Sequence, residues 1–385
     1  MAEPHRTVAP AYIRPDILSL PAYVPGARPP EGVVMTKLSS NESPTPTSPA
    51  VRAALESAVD SLNRYPDMAV TSLTEALADH CGVRPEMIAC GNGSVALLAH
   101  ALSAVSQAGD DVVYAWRSFE AYPIVAQTVG ARSIRVPLTA ESAHDLAAMS
   151  DAITERTRAV IVCNPNNPTG RGLTRAEILD FVASVPPKVN VFLDEAYQEY
   201  VTLPESSWRT EDCETHPNVL VFRTFSKAYG LAGLRVGYVI GQPRTIAAVR
   251  ATSTPFGVNS LAQVAACAAL ADQDTMRAGV QAIVAERKRV SEALRELGYD
   301  VPDSQANFVY LPEDPHWTEG NRAESAGAQG FSPGAPAELI AAMAREEGIL
   351  LRAFAGDGLR MTVGTPEEND RLLDFFRRRG SARGC

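Results

Sequence analysis

Lysine is scarce in this chain: four residues (Lys37, Lys188, Lys227 and Lys288) stand against 31 arginines. Where arginine is the default cation, a lysine among apolar and small residues points to chemistry a guanidinium cannot do. Only an amine sheds its proton and attacks a carbonyl. Long hydrophobic runs are missing too. None approaches the roughly 18–20 residues of a bilayer-spanning helix. The N-terminal Met-Ala-Glu-Pro-His-Arg-Thr lacks the basic-then-apolar layout of a signal peptide, so a cytoplasmic protein with no membrane partner is expected. Six cysteines (81, 90, 163, 213, 267 and 385) lie far apart without a CxxC pair, which predicts reduced thiols, not a disulfide frame or zinc site. The six histidines show no ligand spacing, so no metal is expected. Neither a GxSxG elbow nor a Ser–His–Asp arrangement is present. Positive charge is in deficit: a net −10 argues against a general nucleic-acid binder, which needs a basic face. Gly91-x-Gly93 lacks the third glycine and the later acidic partner of a dinucleotide fingerprint. No internal repeat is found.

What is present reads as a globular protein of roughly two domains, with 385 residues, 45% hydrophobic and 21% charged. Residues 1–36, with prolines at 4, 10, 15, 21, 25, 29 and 30, form an extended arm with one short turn near 16–20. Helices are predicted at 49–62, where Ser48 caps and Pro49 takes the first position, and at 71–81. Strands and helices then alternate. Strands fall at 88–90, 111–116, 131–136, 159–163, 189–193, 219–223 and 235–240, and helices at 95–105, 118–130, 145–153 and 174–184. That alternation predicts an α/β fold with a mostly parallel sheet between helices, and ligands in such sheets sit at the carboxyl ends of the strands. After Gly241 the chain turns helical through 259–272 and on to Leu297. A smaller α/β unit follows, with strands at 306–311, 350–353 and 359–363 and helices at 336–347 and 367–379. The expected division is an N-terminal arm (1–36), a large domain (37–265) and a small C-terminal domain (266–385). Residues 313–335, polar and rich in Gly, Ala and Ser, read as a mobile loop.

The stretch from Asn218 to Arg235 concentrates the unusual residues. An apolar run (219–223) delivers Thr224, Ser226 and Lys227 to a strand end, with Arg235 eight residues beyond the lysine. A strand-end lysine commonly snorkels to water. Hydroxyls before it and an arginine after it resemble a phosphate site instead, and an aldehyde carrying a phosphate is pyridoxal 5′-phosphate (PLP). Asp194 ends another apolar run. A buried carboxylate there needs a partner, either the next element's N–H groups or the protonated pyridine nitrogen of PLP. Tyr197 is a packing aromatic or a donor to the ring's phenolic oxygen. Asn164-Pro-Asn-Asn-Pro-Thr-Gly170 is a turn stiffened by two prolines, with Asn167 the candidate donor to the same oxygen. Gly91-Asn-Gly-Ser94 opens a helix and suits an anion. Phe119 is a candidate to stack on the pyridine face, or a core aromatic. Arg360 and, more weakly, Arg352 suit a substrate carboxylate or form structural ion pairs.

Ser40-Asn-Glu-x-Pro44, Arg64-Tyr-Pro-Asp67, the 164–170 turn, Asp194-Glu-Ala-Tyr197, Thr224-Phe-Ser-Lys-Ala-Tyr-Gly-Leu-Ala-Gly-Leu-Arg-Val-Gly-Tyr238 and Leu359-Arg-x-Thr-Val-Gly-Thr365 occur in this order. Together they resemble the fold-type-I PLP-dependent aminotransferases, specifically the histidinol-phosphate aminotransferase subfamily. The resemblance spans residues 12–378 apart from the 313–335 loop. Leu-Pro-Ala-Tyr-Val-Pro-Gly, Trp-Arg-Ser-Phe-Glu-Ala-Tyr-Pro and Ser-Gln-Ala-Asn-Phe-Val are most similar to the actinobacterial aromatic-amino-acid (phenylalanine) aminotransferases. The resemblance implies that Lys227 carries PLP and later shuttles a proton, that Asp194 partners the pyridinium, and that Asn167 and Tyr197 donate to the phenolic oxygen. It implies Phe119 as the stacking ring, with Gly93, Ser94, Ser226 and Arg235 around the phosphate. Tyr65 would reach the phosphate of the other subunit of a homodimer. Arg360, with Arg352 behind it, would hold the substrate carboxylate, and Tyr23 would help close the site. Two stretches depart from the family. Asn41-Glu-Ser-Pro-Thr-Pro replaces the usual aromatic and Gly-Pro after Asn-Glu-x-Pro, altering the pocket entrance. Val95-Ala96 stand where histidinol-phosphate enzymes carry acidic residues, which favours an aromatic substrate.

The expected activity is the interconversion of an aromatic L-amino acid and its 2-oxo acid, with 2-oxoglutarate/glutamate as co-substrate. Histidinol-phosphate transamination is the alternative, because an arginine pair can take a phosphate in the carboxylate's place. A fold-type-I decarboxylase or lyase would share every cofactor residue. A PLP-fold regulator is disfavoured by the presence of both Lys227 and Asp194.

Overall fold

The computed structural model of the chain describes residues 12–20, 23, 26–206, 208–209, 212–317 and 330–380. Its strands are β1 (Thr36–Lys37), β2 (Ile88–Gly91), β3 (Asp111–Trp116), β4 (Arg132–Pro137), β5 (Thr157–Cys163), β6 (Asn190–Asp194), β7 (Val219–Thr224), β8 (Gly237–Ile240), β9 (Phe308–Pro312), β10 (Ile349–Leu350), β11 (Arg352–Phe354) and β12 (Gly358–Thr362). Strands β2 to β8 make one seven-stranded sheet in the order β2-β8-β7-β6-β5-β3-β4. Every neighbouring pair is parallel except those of β8, which runs antiparallel to both β7 and β2. The expected mostly parallel α/β sheet is present. Its one reversal is invisible in the pattern, because an apolar run reads the same in either direction.

The two-residue period of a strand divides this sheet's side chains between two cores. Val160, Val162, Val191, Leu193, Val219 and Val221 enter one. Ala159, Ile161, Phe192, Leu220 and Phe222 enter the other, beneath the helices Ser94–Val105 and Pro243–Thr252. Both faces are therefore dry, and each large apolar side chain so buried stabilises the fold by about 1.5–3 kcal/mol. Local chemistry sets the helix ends. Ser48 Oγ accepts from Val51 N at 3.3 Å, with Pro49 at the first position. Thr365 and Glu368 form a reciprocal capping box on the helix Pro366–Arg379.

The remaining elements gather around a second core. Strands β9, β11 and β12 form an antiparallel sheet in the order β11-β12-β9. The helices Gln273–Glu296, Ala337–Glu346 and Pro366–Arg379 all contribute to its core. Strand β1 pairs in parallel with β10, and Leu38 is buried in this same core. Residues 36–38 thus pack with the C-terminal elements, although they precede the large sheet in sequence. The boundary expected at 265/266 falls inside the helix Ser260–Ala271, whose Ala262, Ala265, Ala266 and Ala269 lie in the large sheet's core.

The loop expected over 313–335 is narrower than its composition predicts. Phe331 is fully buried among Tyr299, Phe375 and Phe376, and its N–H donates to Arg379 O at 2.9 Å. One aromatic finding a core outweighs a Gly/Ala/Ser-rich neighbourhood. The middle of that loop, 318–329, lies outside the described residues, as do 1–11 of the arm. Among the described residues no helix is long and apolar enough to cross a membrane.

Candidate active site

Because β2, β3, β5, β6 and β7 run the same way, their carboxyl ends share one edge of the sheet, and the reversed β8 begins there. The sequence motifs stand along that edge. Gly93 and Ser94 follow β2, Phe119 follows β3, Asn167 follows β5, Asp194 ends β6, Ser226 and Lys227 follow β7, and Arg235 precedes β8. Arg352 and Arg360 face them from β11 and β12, and Tyr23 and Asn41 come from the N-terminal segment. All of these except Gly93 line a cavity of about 400 Å³. Of the site residues singled out in the sequence, all but Gly93 and Tyr65 line it. Gly93 sits just behind, at φ +83°, where a Cβ would collide with the Arg235 guanidinium. Tyr65 is exposed and stacks on Phe256 with ring centroids 4.7 Å apart, outside this chain's cavity.

One end of the cavity is built for an anion. The helix Ser94–Val105 starts with no side-chain cap, so its first N–H groups and its dipole favour negative charge. Arg235 Nη1 donates to Ser226 Oγ at 3.2 Å, and Thr224 Oγ1 donates to the same oxygen at 3.0 Å. Among the described residues no carboxylate pairs with Arg235. A cation, hydroxyls and a helix terminus left without an acid among the described residues form a cradle that fits a phosphate.

At the centre stand a carboxylate and an amine, each strongly perturbed. Asp194 is buried, accepting from the Tyr122 hydroxyl at 2.8 Å and from Ala196 N at 3.3 Å. Burial nevertheless pushes its pKa up to about 6. Burial likewise draws Lys227 down to about 7; Arg360 and Arg235 add to that fall, while Glu42 and Asp194 oppose it. Lys227 Nζ donates to Asn41 O at 3.1 Å. Asn41 is held at φ +52° by a bond from its N–H to Thr362 Oγ1 at 2.9 Å, and its Nδ2 donates to the Tyr197 hydroxyl at 3.0 Å. Burial also raises the Tyr197 pKa, so that phenol stays protonated and able to donate.

The third part of the cavity is cationic. Arg360 is buried, donating to Asn167 Oδ1 at 2.5 Å and Ser39 O at 3.0 Å, while its Nε has no acceptor. Its guanidinium lies 5.5 Å from the ring centres of both Phe308 and Phe354. Arg352 Nη2 donates to Glu120 Oε2 at 2.5 Å. Three polar groups in this cavity therefore want a ligand: an Asp194 carboxylate with no cation paired to it among the described residues, an orphaned Arg360 Nε, and an amine near its neutral form. With the phosphate cradle beside them, this set fits PLP and a carboxylate-bearing substrate.

Tyr122, Glu120 and Asn41 were not singled out from the sequence as site residues. Tyr122 reads as one more core aromatic in an apolar helix. Its ring meets that of Phe119 edge-on, with centroids 5.6 Å apart, although Phe119 precedes the helix that carries Tyr122.

The chain belongs to the aminotransferase class I and II family, whose sequence model matches residues 33–376. It is 48% identical to the aromatic amino acid aminotransferase of Rhodococcus erythropolis, covering 95% of each chain. It is 47% identical to that of Streptomyces coelicolor, covering 94% of this chain and 95% of the relative. Among solved structures, histidinol-phosphate aminotransferase from Sinorhizobium meliloti, in complex with PLP, is similar with a TM-score of 0.82. The match has 28% identity and covers 96% of this chain and 98% of that one.

Proposed function

We propose that the chain is a PLP-dependent aminotransferase interconverting an aromatic L-amino acid and its 2-oxo acid, with 2-oxoglutarate/glutamate as the second pair. The observation that carries this reading is the 48% identity, over nearly the whole chain, to a protein named aromatic amino acid aminotransferase. Apolar cavity walls at Val95, Phe119 and Phe354 support it.

When bound, PLP supplies the electron sink that stabilises negative charge developing at the substrate's Cα. Arg235, Ser226, Ser94 and the helix terminus behind Gly93 would hold its phosphate. Asp194, steadied by the Tyr122 hydroxyl, would hold the proton of the ring nitrogen. Tyr197 and Asn167 would donate to the phenolic oxygen, and Phe119 would pack on the ring. The ε-amino group of Lys227 would take the proton from Cα and, as an ammonium, pass it to the carbon that came from the cofactor's aldehyde. A pKa of about 7 keeps both of its forms populated at neutral pH, the condition for acid–base work. Arg360 holds the substrate carboxylate with its planar fork and so fixes which bond at Cα faces the lysine. Arg352 stands behind it, and Tyr23 closes the entrance.

The same reading divides the molecule along its cores, with 36–38 and the elements after residue 272 forming the smaller unit. It makes Tyr65, exposed and outside its own cavity, the residue that reaches a partner subunit's phosphate in a cytoplasmic homodimer; a monomer in sedimentation equilibrium would remove that assignment. Histidinol-phosphate transamination is the second reading, supported by the likeness to the Sinorhizobium meliloti structure and by the two neighbouring arginines.

A single-turnover screen of the PLP-loaded protein separates them, following the conversion of the cofactor to its amine form. Fast conversion by phenylalanine, tyrosine or tryptophan with slow conversion by histidinol phosphate is expected. The opposite order makes histidinol phosphate the substrate. No conversion by any of them points to a decarboxylase or lyase.

A further inference from the structure

Four arginines line the cavity, and their surroundings differ. Arg235 belongs to the phosphate cradle. Arg28 is exposed, where water and salt screen it. Arg360 is buried, with no carboxylate in ion-pair range among the described residues. Arg352 is clasped instead: its Nη2 lies 2.5 Å from Glu120 Oε2, with the two side chains 11% and 27% exposed. Arg352 and Glu120 are both felt at Arg360. Burial most of all, with Arg352's charge added, lowers the Arg360 pKa, and Glu120 opposes that fall.

We infer that Glu120 is a specificity-determining residue. By neutralising Arg352 it leaves Arg360, among the described residues, as the single uncompensated buried cation at the substrate's anionic end, so the site takes a carboxylate monoanion and rejects a phosphate-ester dianion. The inference rests on Arg360 holding the substrate carboxylate in the proposed transamination. A carboxylate brings the one negative charge that Arg360 lacks. A phosphate ester, with its second pKa of about 6, brings nearly two. The second charge finds Arg352 already paired and meets the Glu120 carboxylate as a repulsive neighbour.

The placement of Glu120 sets this role apart from a local structural one. It immediately precedes the helix Ala121–Thr128, yet its side chain makes no capping bond to that helix. Its partner is on β11, 232 residues away in sequence and on the cavity wall. The carboxylate thus serves the cavity and not its own element.

The test uses Glu120→Gln in the PLP-loaded enzyme, which keeps the side chain's shape and one acceptor oxygen while removing the charge. Two unreactive ligands with the same ring, 3-phenylpropanoate and phenyl phosphate, are titrated by calorimetry at about pH 8, where the phosphate is dianionic. The ratio of their affinities is expected to move toward phenyl phosphate by about tenfold or more. Glu120→Asp, which retains the charge but draws it back from Arg352, should move the ratio less and in the same direction; it carries the test if the glutamine variant folds poorly. A ratio unchanged within about twofold, or an equal weakening of both ligands, overturns the proposal, because a mere clasp between β11 and the loop after β3 treats both anions alike. Neither ligand is turned over, so a flat ratio here and an unexpected order in the amino-acid screen are separate results.

Discussion

Tyr122→Phe removes a single hydroxyl, and its cost should depend on pH in a way that packing does not. That hydroxyl donates to Asp194 Oδ2 at 2.8 Å, with both side chains buried. The ring packs edge-on against Phe119 and Tyr114, with centroids 5.6 Å and 5.7 Å away, contacts that phenylalanine keeps. A hydrogen bond to a charged acceptor contributes about 1.5–3 kcal/mol. It favours the ionised carboxylate, whose pKa burial still raises to about 6. A raised folded-state pKa means that Asp194 favours the fold below its ordinary value of about 4 and that this stability is lost as pH rises through about 6. Without the hydroxyl the folded pKa climbs further and the loss is larger. The variant's deficit is therefore small near pH ~5 and close to its full value above pH ~8. If the unit around the large sheet unfolds as one block of roughly 230 residues, at about 2.1 cal/mol/K per residue, the thermal midpoint falls by roughly 3–6 °C at the higher pH. Calorimetric scans of cofactor-stripped wild type and variant at the two pH values measure this directly. Equal deficits at both would show that the hydroxyl acts through packing alone and would refute the argument.

Other consequences can be checked more simply. Lys227→Ala should abolish turnover and the absorbance of the lysine-bound cofactor while leaving the circular dichroism native; undiminished steady-state transamination would remove the lysine's role. The rate at which the stripped protein captures the PLP aldehyde should rise with pH through about 7, because the neutral amine is the attacking form. A midpoint near 10, that of a solvated lysine, would mean the pocket does not desolvate it. Arg360→Gln should lower kcat/KM for amino acids by about 10²–10³ without lowering the thermal midpoint, since it removes a buried cation that has no acid partner. A fall in stability with unchanged kcat/KM would reassign Arg360 to structure.

Where local pattern decides structure, the sequence was readable. The helix Thr71–Cys81 and strand β3 lie where apolar spacing predicts them, and the alternation from Met87 onward is the large sheet. Ends were less exact: the helix read as 118–130 is Ala121–Thr128, which leaves Phe119 and Glu120 on the loop before it. What escaped is what depends on distant pairing. Two residues, Thr36 and Lys37, cannot announce that they will pair with Ile349 and Leu350. The motif residues of the cavity could be named because each sits in a run whose residue types have few other uses. Tyr122 and Glu120 could not, for an aromatic in an apolar helix and a lone acid have many. Asn41 lies within Ser40-Asn-Glu-x-Pro44, yet nothing local says that it will hold both Tyr197 and Lys227.

The reversal of β8 has a consequence for how such a protein can change. Thr224 and Gly237 are paired neighbours, so Ser226, Lys227 and Arg235 ride on one short loop closed at its base by the sheet. Closing so short a loop costs little chain entropy, and both of its ends are anchored in the large sheet. Arg352 and Arg360, the groups proposed to meet the substrate's anion, stand instead on a different sheet with its own core. Inheritance can therefore treat the two halves as separate parts. Under the proposed function, drift in the small sheet, or at its contacts with Glu120, can retune which acid is admitted while the half that carries Lys227 and Arg235 is passed on unaltered.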